Sequence, residues 1–269
     1  LIRREFLLRN FSSVELPFDF MLRRGISKSD LKETIKKFQT LRVAVVGDTI
    51  VDEYITCDAL GMSEEDPSIV VSPIESRKFI GGAAIVAAHA QKLGSSVCFI
   101  SVVGDDDSSE FCRSSLEKLG VVSLLVVDKT RPTTLKQRFR SKGKTLLRVS
   151  HLSQLAVSPE IQEQIFRELK GKIEDFDLVI LSDFNYGVLP QNLVDRIARL
   201  CEANGVPVVA DSQSSSQVGD IARFKGMTLI TPTEREARLA LKNNEAGLAV
   251  LGESLSQIAL AKNVILKLG

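Results

Sequence analysis

Six carboxylates follow apolar runs in this chain: Asp48, Asp52, Asp105, Asp183, Asp211 and Glu236. Oxygen acceptors gathered in this way suit a polyol, or a magnesium-bound phosphate ester that needs hard anionic ligands. Capping the next turn explains any single one of them equally well. The recurrence favours chemistry, because the pattern of apolar run and polar tip begins at Arg42–Gly47 and returns along the whole chain. A second feature is Gly81-Gly82, which opens an alanine-rich segment running through Ala90. Glycines at a helix start let a ligand approach exposed N–H groups whose partial charge favours anions and hydroxyls. Close packing of that helix on a strand is the competing reading.

The elements that must position these groups can be read from the pattern. Arg42–Gly47 is apolar without alternation, as a parallel strand covered on both faces should be, and a polar turn, 48–52, is expected after it. Comparable strands are expected at Val97–Val103, Leu178–Leu181, Val206–Ala210, Thr228–Ile230 and Val264–Leu268. Helices should lie between them: Asp107-x-x-Glu110 has capping-box spacing for one reaching Leu119, and Pro190 suits the first position of another. Thr231…Glu234 and Thr233…Glu236 both have the same capping-box spacing. Strands alternating with helices make this an α/β chain with a mostly parallel central sheet flanked on both faces. Short apolar runs between turn residues at 54–79, and again at Val121–Val127, Thr133–Phe139 and Thr145–Val149, predict a small β-sheet lid inserted in two pieces.

Composition excludes several functions. The 269 residues are 44% hydrophobic, enough for one large α/β domain. Thirty-five basic against 34 acidic residues leave a formal charge of +1, without the global field of a nucleic-acid or membrane-surface protein. Four cysteines, at 57, 98, 112 and 201, lack C-x-x-C spacing, so they read as reduced thiols. No apolar stretch is long enough to span a bilayer and no leader opens the chain, so a cytoplasmic location is expected. Residues 1–40 form a linker and docking helix in this reading: scattered arginines and phenylalanines precede a helix at Ser29, Leu31, Ile35 and Phe38. His89, on the alanine-rich helix, reads as a core or surface residue rather than a base.

The ordered series Gly47-Asp48…Asp52, Gly81-Gly82-Ala-Ala, Gly104-Asp-Asp, Leu181-Ser-Asp-Phe-x-x-Gly187 and Thr231-Pro-x-x-x-Glu236 resembles the ribokinase-like (PfkB) sugar kinases. Within them it is most similar to the kinase half of the heptose kinases joined to an adenylyltransferase, over residues 41–269. The resemblance implies ATP-dependent phosphoryl transfer, with Mg²⁺, to a hydroxyl of a sugar phosphate such as a heptose 7-phosphate. It implies that Asp48, Asp52 and Gly81-Gly82 bind substrate and that Lys136 and Arg138 on the lid face a substrate phosphate. Asp183, Asp211, Gln213, Thr233 and Glu236 fall to the nucleotide side, Glu236 matching the acidic residue associated with magnesium. A homodimer through the lid strands and an upstream nucleotidyltransferase domain are implied as partners.

The chain departs from that family at four positions. Ile85 and Thr233 replace asparagines, Gln213 replaces a lysine after the nucleotide strand, and Tyr186 replaces a lysine before Gly187. The family's Gly-Ala-Gly-Asp turn, with its catalytic base, is expected beyond Gly269, so no base is assigned. A sugar or nucleotide sensor of the same fold without turnover stands as the alternative. A dinucleotide enzyme is disfavoured, since Gly47-Asp-Thr-Ile-Val-Asp52 carries one glycine where G-x-G-x-x-G needs three.

Overall fold

The computed structural model describes residues 18–213 and 219–268. The basic and aromatic residues at 3–11, the serines at 214–216 and Gly269 lie outside the described residues. Two short helices, α1 (Phe18–Arg23) and α2 (Lys28–Lys37), come first. Ser27, rather than Ser29, caps α2 through a reciprocal box with Asp30, and α2 buries none of its ten residues.

β1 (Arg42–Gly47) lies inside a six-stranded parallel sheet. Its other strands are β4 (Ser96–Val103), β5 (Val122–Val127), β8 (Leu178–Asp183), β9 (Val208–Ser212) and β10 (Leu229–Ile230), in the order β10-β9-β8-β1-β4-β5. The unbroken apolar run of β1 has a direct cause. Ala44 and Val46 pack on one side with α5 (Pro159–Lys170), α6 (Gln191–Ala203) and α8 (Leu248–Ala259). Val43 and Val45 pack on the other with α3 (Ala83–Lys92) and α4 (Asp107–Lys118). Both faces are covered, so neither can be polar.

The second sheet has four strands: β2 (Thr49–Met62), β3 (Ile69–Gly82), β6 (Thr134–Ser141) and β7 (Lys144–His151), ordered β3-β2-β6-β7. This is the expected lid, with three corrections to the sequence reading. No polar turn follows β1, because the chain enters the 14-residue β2 at Thr49 and carries Asp52 into the lid. Val122–Val127 belongs to the main sheet, pairing in parallel with β4 from Cys98 to Val103 across the α4 crossover. Val264–Leu268 contributes only isolated parallel bridges, Ile230 with Val264 and Thr233 with Lys267.

Helix starts differ by a residue or so from expectation. Asp106, not Asp107, caps α4 by accepting the Ser109 N–H at 2.9 Å. Pro190 sits at the N-cap of α6. Of the two capping boxes at 231–236, Thr233 with Glu236 forms, opening α7 (Glu234–Leu241). The four cysteines are buried and unpaired with one another. Among the described residues no helix is long and apolar enough to cross a membrane.

Candidate active site

The C-terminal end of β1 builds the site's floor. Gly47 passes so close to the Ser182 carbonyl that a Cβ would overlap it, so only glycine lets β1 and β8 run side by side here. Asp48, next in the chain, is 1% exposed. Its carboxylate accepts backbone N–H bonds from Phe184 at 2.6 Å, Val188 at 3.2 Å and Tyr186 at 3.4 Å. Those bonds fasten the loop after β8, so Asp48 holds the scaffold and presents no oxygen to the cleft. Burial pushes its carboxyl up to about 6, with Asp183 pushing the same way and the three N–H donors opposing.

Asp183 is also 1% exposed and committed to the protein. It accepts the Asn185 N–H at 3.1 Å, the Ser212 hydroxyl at 2.8 Å and the Arg223 guanidinium at 2.9 Å. The pairing with Arg223 neutralises it. Asp105 lies outside the cleft, exposed and 3.6 Å from the Lys129 ammonium. His89 is exposed on α3. The carboxylate rim thus separates into scaffold groups and cleft groups, a division that residue type alone does not reveal.

The cleft groups start with Asp52. On β2 it pairs with Phe79 of β3, and two residues further along β3 a side chain at Gly81 would overlap the Asp52 carboxylate. Gly82 then turns the chain with φ of +61° into α3, whose first N–H, from Ala83, is taken by the Asp48 carbonyl at 2.9 Å. Arg138 on β6 forms an ion pair with Asp52, and its guanidinium lies 5.1 Å from the centre of the Tyr54 ring. Lys136, two residues earlier, places its ammonium 5.0 Å over the Tyr186 ring, which links the lid to the β8 loop. Asp52, Gly81, Gly82, Lys136 and Arg138 therefore converge where lid and main sheet meet.

Across the cleft, Gln213 and Thr233 border a cavity of about 700 Å³ with Glu236, Arg238 and Lys267. Glu236 is 7% exposed and accepts the Thr233 N–H at 2.8 Å, while the Thr233 hydroxyl accepts the Glu236 N–H at 3.2 Å. Asp211, at the end of β9, accepts the Thr231 hydroxyl at 3.0 Å and the Lys267 ammonium at 2.7 Å. Gln213 is held by its backbone, its N–H donating to the Asp183 carbonyl and its own carbonyl accepting the Asn185 amide, both at 2.9 Å. Lys267 had no signal in the sequence, being one lysine among many. It enters the site only because the 264–268 segment bridges to Thr233.

Among the described residues no three His, Cys, Asp or Glu side chains converge as a metal cage. Of the carboxylates expected on the nucleotide side, Asp183, Asp211 and Glu236, it is Glu236 that lines the cavity, and one carboxylate suits a hard cation that brings phosphate oxygens and water of its own.

The residues from 40 to 269 match the model of the pfkB family carbohydrate kinases. The bifunctional protein HldE of Desulfatibacillum aliphaticivorans is 32% identical over 239 residues, covering 87% of this chain and 48% of the relative. The chain thus spans about half the length of that curated relative. In structure it resembles Arabidopsis thaliana ribokinase complexed with ribose and ATP, with a TM-score of 0.63 at 19% identity, over 85% of this chain and 72% of that one. Escherichia coli phosphofructokinase-2 in complex with fructose-6-phosphate has the same TM-score at 16% identity, over 86% and 75% of the two chains. With its two-sheet fold, its Asp52–Gly81 contact within the lid sheet and its match from residue 40 to residue 269, the chain belongs to the pfkB family of carbohydrate kinases.

Proposed function

We propose that this chain is the kinase half of a larger protein and transfers the γ-phosphoryl group of ATP, with Mg²⁺, to a hydroxyl of a heptose 7-phosphate. The observation that carries this is a pair of unlike surfaces that both reach the loop after β8, one through Lys136 on the Tyr186 ring and the other through the Asn185 amide on the Gln213 carbonyl. The first carries the Asp52–Gly81 contact on a basic face of the lid, and the second is the cavity lined by Thr233, Glu236 and Lys267. A sugar bound at the first surface would meet a nucleotide bound at the second.

Phosphoryl transfer asks a protein mainly for positioning and charge neutralisation. Asp52 accepts a substrate hydroxyl, and its Arg138 partner fixes the carboxylate's direction. Gly81 and Gly82 keep the approach open and bring the sugar to the start of α3. Lys267 and Arg238 supply positive charge on the nucleotide side, and Glu236 takes the cation that accompanies the phosphates. When bound, that cation supplies neutralisation of the β- and γ-phosphate oxygens. No residue of 18–268 is assigned as the base that removes the hydroxyl proton. Segment 1–40 is read as the linker to a nucleotidyltransferase domain, in keeping with the bifunctional relative.

Replacing Asp52 by alanine tests the reading, with ADP release as the readout. The substitution is expected to lower kcat/KM for the sugar phosphate by about 100-fold or more while KM for ATP stays within a few-fold. Unchanged turnover would remove Asp52 from the sugar site. Binding of sugar phosphate without any ADP release would favour a sensor of the same fold, a reading that the uncharged Gln213 supports.

A further inference from the structure

The loop after β8 is gripped from two sides, and the two grips fall on neighbouring residues. Tyr186 lies in that loop, yet it is only 2% exposed. Its carbonyl accepts one terminal nitrogen of Arg131 at 3.0 Å, and the other donates to the Leu155 carbonyl at 2.6 Å. Arg131 also pairs with Asp128 at 3.1 Å, both side chains being 9% exposed. From there the chain enters β6, and the Lys136 ammonium comes back to lie over the Tyr186 ring. One loop residue is therefore held twice, by its carbonyl through a buried arginine and by its ring through a lysine of the lid.

On the other side Asn185, at φ of +61°, donates its side-chain amide to the Gln213 carbonyl. Left-handed backbone is costly for a residue with a side chain, and this bond, with the Asn185 N–H given to Asp183, keeps it in place. Gln213 borders the cavity that holds Thr233, Glu236 and Lys267. Asp183, at the head of the loop, accepts the Ser212 hydroxyl from the end of β9. Adjacent residues thus face the lid and the nucleotide side, on a segment that Asp48 fastens through the N–H groups of Phe184, Tyr186 and Val188.

The two contacts on Tyr186 differ in kind. The Arg131 grip is buried and shared with Asp128 and Leu155, so it belongs to the scaffold. The Lys136 contact comes from a lid side chain, and an ammonium on an aromatic face is worth roughly two- to thirty-fold in an equilibrium. We infer that Tyr186 is a positioning residue that joins the lid to the nucleotide side. The Lys136 ammonium seated on its ring ties the lid to a loop whose preceding residue holds Gln213, so a sugar phosphate under the lid and a nucleotide beside Gln213 strengthen each other's binding. The inference rests on reading those two surfaces as sugar-phosphate and nucleotide sites. Linkage makes the strengthening factor the same in either direction.

The test is calorimetric titration of heptose 7-phosphate into the full-length protein, alone and saturated with Mg²⁺ and a non-hydrolysable ATP analogue. The ratio of the two Kd values is the readout, and it compares each variant with itself, so a direct effect of Lys136 on sugar-phosphate affinity cancels. A ratio of about five to ten is expected for the unaltered protein. Tyr186→Leu should bring it within two-fold of one, whereas Tyr186→Phe, which keeps the aromatic face, should retain it. Lys136→Met, a change on a half-buried lid position that spares the loop, should also bring it to one, and adding Tyr186→Leu should change it no further. A ratio near one in the unaltered protein, or a ratio that survives Tyr186→Leu or Lys136→Met, overturns the joint while leaving the kinase reading intact. Coupled binding that depends on Tyr186, with no ADP released from Mg·ATP, overturns the kinase reading and keeps the joint.

Discussion

At the scale of the residue, buried carboxylates set the behaviour with pH. Asp48 takes up its proton near pH 6 in the folded chain, against 3.8 for the unperturbed group. Between those values the folded state holds more protons, so the Asp48 contribution to stability falls as pH rises from about 4 to about 6. The unfolding free energy of the protein minus that of Asp48→Asn is therefore expected to decline across this window, read by urea denaturation. A flat difference would contradict the burial argument. The residue types of the site were legible from strand ends and glycine pairs, yet their directions were not. Asp48 and Asp52 look alike in sequence. One binds backbone amides 136 to 140 positions away and the other meets Gly81 and Arg138. The same holds on β6, where alternation places Arg138 and Arg140 on one face but cannot say which of them a carboxylate claims.

At the scale of the element, two loops decide whether the site holds its shape. Gly187 adopts φ of +90°, and a Cβ there would overlap the Leu155 carbonyl, so Gly187→Ala must move the backbone. A loss of about 2–4 kcal/mol is expected in denaturant titration, and a loss below about 0.5 kcal/mol would show the loop can relax. Thr233→Ala removes the acceptor that opens α7 and should cost about 1 kcal/mol, with weaker ATP binding because Glu236 loses half of its reciprocal bond. Unchanged ATP affinity would separate the cap from the nucleotide site. The central strands were legible because both faces are buried and the apolar run is continuous. Val121–Val127 reads as a lid strand in the sequence because an edge strand and a lid strand are both short and apolar. What places it in the main sheet is the crossover through α4, which local pattern does not encode. Asp106 was passed over as the cap of α4 because three adjacent aspartates offer the same chemistry at neighbouring positions.

At the scale of the whole molecule, the outer end of the lid carries Leu60, Met62, Ile69 and Val70, all exposed, with Met62 paired to Ile69, Val70 to Gly61, and Leu60 at the irregularity between Ala59 and Gly61. An apolar tip of this kind suits a second copy of the lid. Light scattering is expected to give a dimer, with Leu60→Lys and Met62→Glu together shifting it to monomer; a monomer without substitution would contradict the pairing. Family membership follows from the match across residues 40–269, while the sugar rests on the lid's charge and shape. The measurement that bears most directly on the central claim is ADP release by the full-length protein with Mg·ATP and a panel of pentose, hexose and heptose phosphates beside their free sugars. Turnover that requires a phosphorylated sugar, is fastest with heptose 7-phosphate and falls about 100-fold in Asp52→Ala is the predicted result. Saturable sugar-phosphate binding with no ADP released from any member of the panel would contradict it.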